Sequence, residues 1–364
     1  MRLFTKILNL IKYLIFITLI TFILIEIIFQ FLPVSESLQI QAVNEKQPII
    51  HYAKNRTVNV QTGSNFSHIT KKQINNFGYA TDINFKLKDD KKSSVIAIIG
   101  DSYVEALQVT NKKTFHGILS QSFQKIDFYP IAISGSPLSQ YLAFADFASN
   151  LFKPEAYIFV IFANDFDESY YKYKKVPGFH YFSSNGQLTR INHKPSSIKK
   201  FLRKSAFLRY LHIDLKILPR ISYIFNKDNY YTPEKMKHPS QIRIDDSLKA
   251  VDFFFKHLEK IAQGTPVLMI LDANRKSIYE GKKDIDAKRL ESIAYKYIKE
   301  KTKKYDSISL IDMHTIFKRN WLKFKKPFDY NNDYHWNEFG HLLVADTIAN
   351  SSFLIEIQKK LKLD

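Results

Sequence analysis

The stretch Val95–Val109, VIAIIGDSYVEALQV, sets an unbroken apolar run against a tight Gly100-Asp101-Ser102 turn that leads into a helix start. A short continuous run of branched apolar residues ending at a turn marks a strand buried on both faces, and such strands belong to parallel sheets covered by helices. Working outward, the same unit recurs. With Val95–Ile99 as the first, apolar runs occupy Phe128–Ile133, Tyr157–Phe162, Val267–Leu271 and Ile308–Ile311. The intervals carry helical spacing over Phe115–Gln124, Leu138–Leu151, Ser247–Ala262 and Ile285–Lys303. Alternating strand and helix predicts an α/β fold, a doubly wound three-layer domain on a five-stranded parallel sheet.

In such sheets ligands sit beyond the carboxyl ends of the strands. That rule selects Asp101 and Ser102, then Ser134–Ser136, Asn164 and Asp165, Asp272, and Asp312. A serine between a strand and a helix start has backbone N–H groups and a helix dipole beside it, which suits an oxyanion. The turn alone leaves open whether Ser102 is a nucleophile or a helix cap. Near the C-terminus, Asp333-Tyr334-His335-Trp336-Asn337 leads into a helix over Glu338–Ala349, with Asn337 as its cap. Acyl transfer by serine needs an imidazole base and an acceptor that fixes its tautomer, and His335 with Asp333 supplies that pair. The Asn164 amide and the Gly135 N–H are candidate donors to a developing oxyanion. Asp312-Met313-His314 has the same Asp-x-His spacing and is the rival acid/base pair. Asp101 and Asp165 read as turn and cap formers, and His341 as structural. No metal site is expected, because no histidine pair sits at i, i+4 with a nearby carboxylate.

These four blocks, in this order, resemble the SGNH or GDSL-like hydrolases over about Asn75 to the C-terminus. The resemblance implies a flavodoxin-like sheet, Ser102 as nucleophile, and an oxyanion hole made by Ser102, Gly135 and Asn164. It also implies that His335 and Asp333 complete the triad. Two residues depart from the family pattern: Phe162 takes the glycine place of the asparagine block, and Tyr103 takes the leucine place after Gly-Asp-Ser.

Upstream, Tyr13–Leu32 reads YLIFITLITFILIEIIFQFL, matching the roughly 20 residues needed to cross a bilayer core. Arg2, Lys6 and Lys12 precede it and the next basic residue is Lys46, which predicts a single-pass anchor with the N-terminus inside. A cleavable signal peptide shares the basic start, but its apolar region is shorter, and Ser35 and Ser37 offer only a weak cleavage pattern. Glu26 inside the run is expected to reach out to the interface, or else to face a partner helix. Residues 1–33 therefore read as cytoplasmic tip and anchor, 34–92 as a stalk with short strands, and 93–364 as the catalytic domain. Within the last, 166–246 is too long for a plain connection and reads as a lid or added subdomain. In it, Ser197–Leu218 has helical spacing with Lys199, Lys200, Arg203, Lys204 and Arg209 between apolar positions. Such a helix packs on its own domain or lies on an anionic membrane.

The chain of 364 residues has 45% hydrophobic and 15% aromatic residues, enough apolar surface for a globular core. Lysine and arginine number 54 against 35 acidic residues, a formal charge of +19. The sign suits nucleic acid, anionic lipid or acidic glycan, but the basic residues are scattered, so a solvated surface is the plainer reading and no nucleic-acid partner is expected. The absence of cysteine excludes disulfides and a thiol nucleophile. These features predict a serine esterase of the inner membrane, its catalytic domain facing the periplasm or exterior. It would cleave O-acyl or O-acetyl esters on envelope glycans or lipids without a cofactor. An O-acyltransferase acting on exported polysaccharide and a noncatalytic glycan-binding protein are the alternatives.

Overall fold

The computed structural model describes residues 2–362 apart from 64, 91–92, 163, 218–220, 222–238, 282–287 and 331–332. Five strands, β1 (Ser94–Gly100), β2 (Ile126–Ala132), β3 (Ala156–Ile161), β4 (Val267–Leu271) and β5 (Ile308–Asp312), form one parallel sheet in the order β2-β1-β3-β4-β5. That is the flavodoxin-like order, with the direction of winding reversing beside β1. Every residue of β3 and β4 is buried, as is all of β1 after Ser94, while the edge strand β5 is half-buried throughout. Burial on both faces is why these strands read as continuous apolar runs.

Among the described residues the α-helices include α1 (Arg2–Gln30), α2 (Ser102–Glu105), α3 (Phe115–Ser122), α4 (Leu138–Phe152), α5 (Ser197–Leu202), α6 (Ala206–Arg209), α7 (Gln241–Ala262), α8 (Arg275–Tyr279), α9 (Leu290–Thr302), α10 (Met313–Phe324), α11 (Glu338–Ala349) and α12 (Ser352–Lys360). On one face of the sheet, Ile96, Ile98, Ile158, Val160, Leu268 and Ile270 share a core with Phe115, Phe317, Val344 and Leu354 from α3, α10, α11 and α12. Each fully buried phenylalanine there contributes roughly 1.5–3 kcal/mol. On the other face, Phe159 meets Phe254 of α7 with ring centroids 5.4 Å apart. Tyr295 of α9 donates to the Ile161 carbonyl at 3.2 Å on the same side. Three layers result.

Element ends shift for local reasons. Strand β3 stops at Ile161, leaving Phe162 outside the ladder as a half-buried residue. Helix α7 starts at Gln241, six residues ahead of the expected Ser247, because Ser240 caps it by accepting from the Arg243 N–H at 3.4 Å. The expected start of α9 at Ile285 lies outside the described residues.

The chain divides into two compact units, one of residues 1–38, 58–71 and 195–230, the other of 39–57, 72–194 and 231–364. The second carries the sheet. In the first, α1 holds one acidic residue, Glu26, and it faces a partner helix, one of its two expected settings. Its carboxylate accepts from Ser205 Oγ at 2.5 Å, Ala206 N at 2.8 Å and Phe207 N at 3.1 Å. The single helix expected over Ser197–Leu218 is also broken: α5 ends at Leu202, α6 begins at Ala206, and Tyr210–Asp214 follows as a wider turn. Ser196 and Ser205 are the cause. Each accepts from a backbone N–H three residues on, Lys199 and Leu208, so the chain starts two helices where the spacing suggested one. Leu218 lies outside the described residues.

Candidate active site

Residues on β1 and β3 bracket the point where the sheet changes direction, the position at which doubly wound sheets open a crevice. Ser102 follows β1 and Asn164 follows β3. At position 100 a side chain is excluded, since a Cβ there would stand 2.4 Å from Val104 Cγ2, and this close approach lets the chain turn directly from strand to helix. Asp101 caps that turn. Its buried carboxylate accepts from the Tyr103 N–H at 3.0 Å and from Ser102 Oγ at 3.3 Å. Burial raises its pKa, against the lowering effect of these bonds and of nearby His335 and Lys174.

The acid/base side is built by a two-residue spacing. Asp333 accepts from the His335 backbone N–H at 3.0 Å and, through the same oxygen, from His335 Nδ1. One carboxylate thus fixes both the main chain and the ring, which is what Asp-x-His permits and adjacent residues would not. Donation from Nδ1 leaves Nε2 as the free lone pair, the tautomer a general base needs. Gln108 Nε2 donates to the other Asp333 oxygen at 3.1 Å. Burial would push the Asp333 carboxyl up, but its bonds to His335 and Gln108 and the His335 charge prevail and hold it down at about 2.

Tyr103 joins the two sides. Its hydroxyl donates to the Tyr334 carbonyl at 2.8 Å, and its ring centroid lies 5.1 Å from that of His335. The residue after Ser102 therefore holds the residue before His335. The ring also stacks on Phe162 at 4.5 Å, so the two departures from the family pattern touch each other. Behind them, Arg275 of α8 donates to the Tyr103 hydroxyl at 2.9 Å and to the Tyr334 carbonyl, and forms ion pairs with Asp272 and Asp329. Trp336 Nε1 donates to Asp272 at 2.8 Å. Asn337 caps α11 as expected, accepting from the Gly340 N–H at 3.0 Å.

The opposite side is arranged differently. Gly135 adopts φ +76°, and a Cβ there would stand 3.3 Å from Lys174 Nζ. The Asn164 amide donates at 3.0 Å to Glu168, which also pairs with Lys174. The loop before Gly135 is pinned from α2: Glu105 accepts from the Ser134 N–H at 3.1 Å, from Ser134 Oγ and from Tyr52 at 2.5 Å. Lys72, wholly buried, ends α2 by donating to the Ala106 and Val109 carbonyls at 2.8 Å each, and burial lowers its pKa to about 7.

Ser102, Asp333 and His335 are thus brought to one rim, linked through Tyr103. In this conformation the Ser102 hydroxyl points to Asp101, and among the described residues neither it nor His335 Nε2 bonds the other. The rival pair is elsewhere. Asp312 caps α10 by accepting from the His314 backbone N–H at 2.9 Å and pairs with Lys299, on an edge strand three positions from β1. Asp165 forms a turn, accepting from Phe162 N at 2.7 Å and Tyr141 at 2.9 Å. His341 is buried and accepts from the Phe115 N–H at 3.3 Å. Among the described residues no group of three His, Asp or Glu side chains could hold a metal ion. A cavity of about 670 Å³ that includes Lys46, His51, Lys54, Phe147 and His257 in its lining contains none of the Ser102 site.

Gln108, Arg275, Glu168 and Lys174 were not singled out from the sequence. Arg275, four residues past β4, carries the nearest thing to a signal, since a charged residue just beyond a buried strand needs a partner.

No family model matches the sequence, and no curated protein matches it. Among solved structures, the chain is similar to a member of the lipolytic protein G-D-S-L family from Veillonella parvula, at 12% identity over 71% of this chain and 98% of that one, with a TM-score of 0.40. It is similar to an acetyl xylan esterase at 14% identity, over 71% of this chain and 99% of that one, with a TM-score of 0.40. A catalytic mutant of an acetylxylan esterase from Geobacillus stearothermophilus gives 13% identity over 71% of this chain and 94% of that one, with a TM-score of 0.40.

Proposed function

We propose that the chain is a serine esterase that hydrolyses acyl or acetyl esters through an acyl-Ser102 intermediate. The observation that carries this reading is the Asp333–His335 pair, with Nδ1 committed to the carboxylate, tied by Tyr103 to the strand-end serine. Rotation of the Ser102 hydroxyl from Asp101 toward Nε2 brings nucleophile and base together. His335 takes the Ser102 proton as Oγ adds to the ester carbonyl, and the oxyanion is met by the Ser102 and Gly135 N–H groups and the Asn164 amide. His335 then returns the proton to the departing alcohol. Water, deprotonated by the same imidazole, cleaves the acyl-serine and restores the hydroxyl.

The apolar helix α1 supports an inner-membrane anchor, and the lack of basic residues from Lys12 to Lys46 supports a catalytic unit facing the periplasm. Acylated envelope glycans or lipids are the substrates such a position offers. The test is release of p-nitrophenol from its acetate by wild type and Ser102→Ala. The reading requires the variant to fall to background; equal rates refute it. Transfer of the acetyl group to an added glycan, in place of free acetate, would make the enzyme an O-acyltransferase working through the same acyl-serine.

A further inference from the structure

We infer that α5 is a second membrane contact, lying in the anionic headgroup layer of the same bilayer that α1 crosses. The inference rests on the reading of α1 as a span, and all its residues belong to one compact unit. Three apolar residues of α5 are open to solvent: Ile198 is 72% exposed, Phe201 71% and Leu202 45%. Their spacing, i, i+3 and i+4, places them on one face. Lys199, Lys200, Arg203 and Lys204 occupy the rest of this short stretch, and among the described residues none of them pairs with a carboxylate. From residue 195 to 213 there is no acidic residue. A soluble domain gains nothing from an uncovered apolar stripe bordered by four cations, whereas an anionic lipid surface satisfies both features.

The depth of α5 follows from its neighbour. Glu26 holds the start of α6, and the Phe207 ring lies between Phe22 and Phe29 of α1, with centroids 5.9 and 5.2 Å away. Tyr210 adds a contact with Phe29 at 4.9 Å. Glu26 is one turn from the end of α1 at Gln30, so α6 docks about 6 Å below that end at 1.5 Å per residue. Helix α5 is joined to α6 by only Arg203, Lys204 and Ser205. It is therefore held at the outer interface, where its apolar face meets acyl chains and its cations meet phosphates. The same contact gives Glu26, the one acidic residue of α1, partners outside its own helix.

The chain has no cysteine, so single-cysteine variants of the full protein take one label each. Phe201→Cys, Phe16→Cys on α1 and the exposed Leu322→Cys are labelled with an environment-sensitive fluorophore. The proteins are reconstituted in vesicles of phosphatidylcholine with or without phosphatidylglycerol, and spin-labelled lipids serve as quenchers. The expected result is blue-shifted emission at 201, quenched most by a spin label near the headgroup and weakened without phosphatidylglycerol or by Lys199→Glu with Lys200→Glu. Position 16 should be quenched by deep labels and 322 by none. Emission at 201 that matches 322 while 16 stays in lipid overturns the α5 contact and leaves the span standing. An aqueous signal at 16 overturns both. A blue shift at 201 without lipid quenching means protein covers this face, and equal quenching in both lipids removes the anionic component; either result contradicts the inference.

Discussion

The two sides of Ser102 are organised in opposite ways. On one side Asp333, His335 and Gln108 are joined by hydrogen bonds, and Tyr103 and Arg275 both hold the Tyr334 carbonyl beside the imidazole. On the other, the Asn164 amide is turned to Glu168, and Lys174 stands over Gly135. On the proposed reading, His335 is oriented before substrate arrives, whereas the Asn164 amide must leave Glu168 to meet an oxyanion.

The largest expected effect comes from breaking the prepared side. Asp333→Asn keeps the shape but loses the carboxylate that selects the Nδ1–H tautomer, and kcat should fall about 10⁴-fold in steady-state ester hydrolysis. A loss below tenfold would mean that the pair does not serve catalysis. Arg275→Met should instead appear in stability. It leaves Asp272, and Asp329 at the end of its 3.0 Å ion pair, without their cation, costing about 3–5 kcal/mol by thermal or denaturant unfolding. Unchanged stability would show that these carboxylates find other partners.

On the loose side, Asn164→Ala should lower kcat about 10²–10³-fold with little change in KM, because the amide acts only on developing charge. Glu168→Ala sharpens the comparison. If Glu168 merely holds the amide at rest, kcat stays level or rises; a fall as deep as that of Asn164→Ala would show that Glu168 keeps the amide in its working position. The effect confined to the narrowest conditions is on acid stability. Burial foremost, aided by the charge of Lys72, depresses the pKa of His116 to about 3, from an ordinary value of 6.5. The unfolded chain therefore binds a proton below pH 6.5 that the folded chain refuses, so stability falls as pH drops from 6.5 toward about 3 and levels off below. His116→Gln should flatten that part of a melting-temperature profile.

The sheet could be read from sequence because burial on both faces leaves apolar runs, and Ser102, Asp333 and His335 stand out as candidates because Gly-Asp-Ser and Asp-x-His are local patterns. What could not be read depends on contacts between distant segments. Lys72 and Tyr52, in a stretch with no visible chemistry, support α2 only because folding brings them behind it. Phe162 and Tyr103, the two departures from the family pattern, stack on each other, a pairing that neither position reveals by itself. The helix expected over Ser197–Leu218 failed at Ser205, whose capping strength is a local signal that apolar spacing concealed. Within its own helix Glu26 meets Gln30, but its partners at the start of α6 lie far along the chain.

The central claim is that acyl transfer passes through Ser102. Brief mixing of the full-length protein with p-nitrophenyl acetate, an acid quench and peptide mass analysis tests it most directly. One acetyl group on the peptide containing Ser102, absent from Ser102→Ala and accumulating in Asn164→Ala no faster than in wild type, is the predicted result. Ester cleavage that proceeds in wild type with the acetyl group on another residue, or that persists in Ser102→Ala, would contradict it.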